Sequence, residues 1–129
     1  MLTLALLTTA LLFGGMVLYA FGFAAFLFTA LPAETAGPTI RRAFPHFYLF
    51  VIGVAAVAAG LIWARDPLSG VLLLGIAAST VPTRQLLMPA INRATDAGEK
   101  RRFALLHGLS VVITLAHIAL AAWVLARFL

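Results

Sequence analysis

The chain has 129 residues, 64% of them hydrophobic and only 10% charged, with a net charge of +5 and no cysteine. A soluble domain carries roughly 25% charged residues, so the composition excludes a soluble globular protein, and the missing thiols exclude disulfides, thiolate catalysis and thiolate metal centres. The positive balance would suggest nucleic acid in a soluble chain; here the cations stand beside apolar stretches, where membrane topology accounts for them and no nucleic-acid partner is expected.

The first element begins at the N-terminus. It lacks the positive n-region of a secretory signal, and its uncharged stretch runs from Met1 to Ala33, well beyond the roughly 7–15 apolar residues of a signal core. It is therefore read as a retained membrane helix. In all, four uncharged segments predict spanning helices, at about 2–31, 46–64, 67–83 and 103–126, against the roughly 20 residues that a span needs. The third is the shortest, and "QLLMPAIN" extends it to about residue 92, with Pro82 and Pro89 as kink positions. Runs such as "VIGVAAVAAGLIWA" are apolar on both parities, which excludes the alternation of an outer-membrane barrel. The expected fold is all-α: a single membrane-embedded four-helix domain.

Cations set the expected orientation. Arg41 and Arg42 lie between the first two segments; Arg84, Arg93, Lys100, Arg101 and Arg102 lie between the last two; Arg65 and Arg127 stand on the opposite side. The positive-inside rule places the first group in the cytoplasm. The expectation is a multi-pass protein of a bacterial inner membrane with both termini in the periplasm.

"LPAETAGPTIRRAFPHF" (31–47) resembles "MPAINRATDAGEKRRFALLH" (88–107) in its Pro-Ala, Gly, paired arginines, phenylalanine and histidine. Such a repeat would give two helical hairpins of the same orientation, as in transporters built from parallel repeats.

The four acids, Glu34, Asp66, Asp96 and Glu99, are all expected in loops. A carboxylate relay of the kind that marks many pumps is missing from the spans, and with it paired carboxylates for hydrolysis. No catalytic residues are assigned, and the chain is expected to be non-enzymatic.

The last helix carries the sharpest polar pattern. His107, Ser110, Thr114 and His117 recur at spacings of three, four and three, so they share a face. Polar groups in membrane helices turn toward the bundle, so this stripe is expected inside. With Arg84 it forms the predicted polar cluster, in which His107 acts as a hydrogen-bonding peg between helices. Arg84 is expected to snorkel, to pair with Glu34 or Glu99, or to hold a lipid phosphate.

His107 and His117 are about 15 Å apart along the helix, too far to share a metal. His46, expected to open the second helix, and His107 stand at similar depth. They are the candidate axial pair for a haem or the start of a copper site; no other metal or cofactor ligands are assigned.

Phe21, Phe23, Phe26 and Phe28 crowd the end of the first helix, and "FPHFYLF" adds aromatics to the second. Bundle packing and an interfacial belt explain them; an aromatic-lined lipid or ligand groove is the sharper alternative. Gly53, Ala56 and Gly60 share one face, as do Gly75 and Ser79. Such faces let backbones approach closely, in the bundle's own packing, in self-association or against another subunit.

"FGGMVLYAFGFAAFLFTALPAETAG", "RRAFPHFY" and "MPAINRATDAGEKRRFALLHGLSVVI" together resemble the transmembrane protein 205-like family, across most of the chain. The residues most like the family's are Phe44, Pro45, Tyr48, Pro89, His107 and Ser110. The resemblance implies a membrane-embedded four-helix protein whose bacterial members carry a domain of unknown function. A eukaryotic relative's link to platinum-drug resistance hints at transport or trafficking, but a chain without cysteine lacks the natural platinum ligands. The expected function is an accessory or scaffold subunit of a larger membrane complex. The alternatives are an oligomeric transporter-like protein and a haem- or copper-binding membrane protein.

Overall fold

The computed structural model describes all 129 residues. Four long helices make up the chain: α1 Leu2–Ala30, α2 Ala33–Ile62, α3 Pro67–Asp96 and α4 Lys100–Ala126, each long and apolar enough to cross a membrane. The fold is an all-α membrane bundle, and the protein is multi-pass. Neighbouring helices pack in chain order, α1 on α2, α2 on α3 and α3 on α4, and α1 closes the ring against α4. The pairs α1–α3 and α2–α4 are diagonal.

The connections are short, and their chemistry explains each one. Leu31 and Pro32 are extended (φ −118°, ψ 150° and φ −57°, ψ 149°), and Pro32 opens α2 with Glu34 in its first turn, where the helix dipole favours an acid. Asp66 caps α3 by accepting from the Ser69 amide, with Pro67 at the first helical position, a favourable start on both counts. After α3, Gly98 takes φ +69° and the Glu99 amide donates back to Ala94 O. This is the left-handed turn that ends many helices and that glycine adopts without penalty.

Three expected boundaries move. The second helix starts at Ala33, not near residue 46, because Pro38 and Pro45 are absorbed within it. The third runs on to Asp96 and the fourth begins at Lys100. Two of the acids are consequently in helices, Glu34 in the first turn of α2 and Asp96 closing α3, while Asp66 and Glu99 lie in the connections as expected, each just before a helix. The loop repeat does not survive in three dimensions: Pro32-Ala33 starts a helix, whereas Pro89-Ala90 lies inside one, and Gly37 is helical where Gly98 makes a turn.

Thirty residues of helix reach about 45 Å, beyond the roughly 30 Å hydrocarbon core. The surplus collects at one end of the bundle, the basic end, where α2 and α3 are tied by Arg41 to Asp96 at 2.9 Å. The other end, holding both termini, is closed by Arg127, which donates to both carboxylate oxygens of Asp66 at 2.8 and 2.9 Å and to Ser69 Oγ at 3.1 Å.

The core is made of small and branched side chains: Ala55, Ala58, Ala59 and Val51 from α2, Leu12 and Met16 from α1, Leu73 and Ile76 from α3, and Ala121 and Val124 from α4. The alanines of α2 let its neighbours approach closely.

Candidate functional site

Two π-helical turns interrupt the bundle, Leu18–Phe23 in α1 and Thr83–Leu87 in α3. Such turns are uncommon and collect at functional positions. Here both aim a polar side chain at the same turn of α2. Pro45 has no amide proton, so the carbonyl four residues earlier, that of Arg41, loses its intrahelical donor; the two donors that come from neighbouring helices go to other carbonyls of the same turn. Tyr19, from the first π turn, donates its hydroxyl to Ala43 O at 2.9 Å. Arg84, from the second, donates from Nε to Pro45 O at 3.1 Å and from Nη1 to Gln85 Oε1 at 2.7 Å.

Aromatic rings pack round the same turn. Tyr19 stacks on Phe47 with centroids 4.8 Å apart and planes 7° apart, and meets Phe44 edge-on at 5.7 Å. Tyr48 meets Phe44 edge-on at 6.0 Å. Each such pair adds about 0.5–1.5 kcal/mol beyond its buried area. Phe44, Pro45 and Tyr48 thus form one structural unit around the proline.

Beside this unit an apolar groove of about 610 Å³ opens between α1 and α2, with Leu11, Gly15, Gly22 and Phe26 along α1 and His46 and Phe50 along α2. The glycines make its floor: a Cβ on Gly15 would lie 2.6 Å from the Phe50 ring. The aromatic-lined groove expected as the sharper alternative is therefore present, with His46 exposed in its lining rather than opening a helix.

The polar stripe of α4 is partly inside. Ser110 and His117 are buried and Thr114 half-buried, whereas His107 is exposed and stacks on Phe103 at 5.3 Å. His107 is not the peg between helices; His117 is. Its Nε2 lies 2.7 Å from Ser79 Oγ on α3. The Ser79 hydroxyl is also 2.7 Å from Gly75 O, and the imidazole tautomer decides which of His117 and Ser79 donates to the other. Ser110 and Thr114 turn their hydroxyls back to His107 O and Ser110 O of their own helix, a self-contained way to satisfy them. Next to His117, Tyr48, Thr80, Thr83 and Thr114 border a cavity of about 10 Å³, room for about one water molecule. A solute would not fit.

Arg84 is directed at Pro45 and Gln85, so it joins neither the expected carboxylates nor His107. His46 and His107 stand on diagonal helices, one in the α1–α2 groove and one on the outer surface of α4; a single chain does not set them around one metal. No group of three or more His, Asp or Glu side chains is gathered to hold a metal ion.

The small-residue face Gly53, Ala56 and Gly60 is exposed, and nothing lies within 4 Å of a Cβ built on either glycine. The bundle uses Ala55, Ala58 and Ala59 instead. Gly75 likewise has open space, while Ser79 on its face is engaged by His117.

Sequence reading missed Tyr19 and the tie of Asp66 to Arg127. For the latter a signal existed: Asp66-Pro67 with Ser69 three residues on is a helix-start pattern, and a charge there needs a partner. The Arg127 guanidinium, helped by the Ser69 hydroxyl, holds the Asp66 carboxyl well below the usual carboxylate range, and the carboxylate in turn raises Arg127.

No curated protein and no solved structure matches the chain. The model of one family does match, over residues 7–100. That span covers α1, α2 and α3 with the Pro45 unit, the two π turns and the groove. The chain belongs to the family described as "Domain of unknown function (DUF4149)".

Proposed function

We propose that this protein is a small non-enzymatic accessory or scaffold subunit that docks on other helices of a larger membrane assembly. The observation that supports this reading is the exposed face Gly53, Ala56 and Gly60. α2 is small-sided twice over, and only the Ala55, Ala58 and Ala59 side is spent on the chain's own core. In lipid, helices associate through close backbone approach at small residues, and the outward face offers this without any rearrangement. The interior favours this over a transporter-like role, since its polar cavity has room for only about one water.

The orientation is part of the proposal: a bacterial inner membrane, the basic end in the cytoplasm and both termini in the periplasm, supported by the cation asymmetry. So is kinship with the transmembrane protein 205-like proteins, which rests on Phe44, Pro45, Tyr48, Pro89, His107 and Ser110.

The test is assembly size after extraction in a mild detergent. Wild-type protein is expected in a complex larger than its own oligomers. Gly53→Leu combined with Gly60→Leu is expected to release it while leaving its helix content unchanged, because both new side chains point into open space. An assembly of unchanged size in the double variant contradicts the proposal.

A further inference from the structure

The α1–α2 groove has in its lining a polar side chain that the bundle itself does not use. From Leu11 to Phe26 it follows α1 for about 22 Å, most of the roughly 30 Å depth of a hydrocarbon core. Its walls are aromatic and aliphatic, with Gly22 in its lining and Gly15 packed closely under the Phe50 ring. On α2 the polar side chain in its lining is His46, about midway along it, since the adjacent Phe47 stacks on Tyr19; the basic end lies one turn further on. Arg42 stands one turn before His46, so the two share a side of α2. Arg41 is paired with Asp96, but Arg42 is exposed and is in none of the protein's three ion pairs. Arg42 is also about 34 Å along α2 from Arg65, the charge at the other end of the span. That separation puts Arg42 at headgroup depth when Arg65 is at the opposite surface.

We propose that the groove holds one acyl chain of an anionic membrane phospholipid, with the phosphate against Arg42 and His46. An apolar channel of this length, open to the bilayer, takes a lipid chain; the unpaired cation at its headgroup end selects an anionic one. Gly53 to Gly60 lie on the same side of α2 and run outward from the level of the groove's Leu11 end, so a docked helix and the lipid adjoin only there.

The experiment reconstitutes the purified full chain in phosphatidylcholine bilayers and measures the motionally restricted fraction of spin-labelled phosphatidylglycerol and, separately, of spin-labelled phosphatidylcholine. The expected result is about one restricted phosphatidylglycerol per chain, preferred several-fold over phosphatidylcholine. Arg42→Gln should lower that preference about fivefold, the factor that one basic residue contributes near an anionic lipid surface. Gly22→Leu, whose side chain fills the floor, should remove the restricted component for both lipids; circular dichroism confirms that each variant keeps its helices. Equal restriction of the two lipids in wild type overturns the proposal, as does a preference unchanged by Arg42→Gln. A groove occupied by a second copy, seen as a dimer that Gly22→Leu dissociates, overturns it as well.

Discussion

Arg84 on α3 donates from Nε to the carbonyl of Pro45 on α2 at 3.1 Å. With the Tyr19 hydroxyl on Ala43 O two residues earlier, it ties α1 and α3 to the Pro45 turn of α2. Arg84→Ala is expected to destabilise the bundle by about 1.5–3 kcal/mol, the range for hydrogen bonds to charged groups. Tyr19→Phe keeps the stack on Phe47 and is expected to cost only about 0.5–1.5 kcal/mol. Equilibrium unfolding in mixed micelles measures both. An Arg84→Ala variant as stable as wild type would remove Arg84 from this role.

His117 and His107 should respond in opposite ways. Ser79→Ala leaves the buried His117 without its partner and is expected to cost about 0.6 kcal/mol, up to about 1.7, as for other hydrogen bonds between membrane helices. His107→Leu changes an exposed ring and is expected to stay within about 0.5 kcal/mol of wild type. The same unfolding assay decides; a larger loss at His107 than at Ser79 would restore the sequence-based assignment.

Asp66 makes stability depend on pH in a definite direction. Its pKa is lowered in the folded protein by Arg127 and Ser69, so its contribution is complete above the unfolded value, near about 3.9, and is lost as pH falls through the folded value. The raised pKa of Arg127 puts its own loss at strongly alkaline pH. Wild type should therefore exceed Asp66→Asn in thermal midpoint at neutral pH, and the gap should close in acid, below about pH 4. A gap that is constant with pH would contradict the ion-pair account.

Orientation is testable with single cysteines in this cysteine-free chain. Ala97→Cys and Glu34→Cys sit at the basic end, and Arg65→Cys sits at the other. An impermeant thiol reagent added to intact spheroplasts should label Arg65→Cys and neither of the other two. The reverse pattern would invert the topology.

The four spans were legible because apolar runs near 20 residues have few other uses. The start of α2 was not. Pro38 and Pro45 read as loop residues, but the helix runs through both, and Tyr19 and Arg84 add bonds from other helices to the Pro45 turn. The π turn that aims Tyr19 leaves no pattern in the local sequence, whereas the one that aims Arg84 lies between the two expected kink positions, Pro82 and Pro89. On α4 the periodicity gave the inner face correctly at Ser110, Thr114 and His117. His107 is seven residues from Thr114, only about 20° round the helix, so it is its place nearer the start of α4, and not the angle, that distinguishes it from the half-buried Thr114. For the small-residue faces, composition identified close-packing surfaces but not which of them the bundle itself consumes; Ala55 and Ala59 go inward, Gly53 and Gly60 outward.

The docking role of α2 is tested most directly by a lipid-phase thiol label in native membranes. Cysteines at Gly53 and Gly60 are compared with one at Leu74, which is exposed on α3. The account predicts that the two α2 positions are protected in the native membrane while Leu74→Cys is labelled, and that all three are labelled once the purified chain alone is reconstituted. Full labelling of Gly53→Cys and Gly60→Cys in the native membrane would show that no partner covers this face, and would contradict the account.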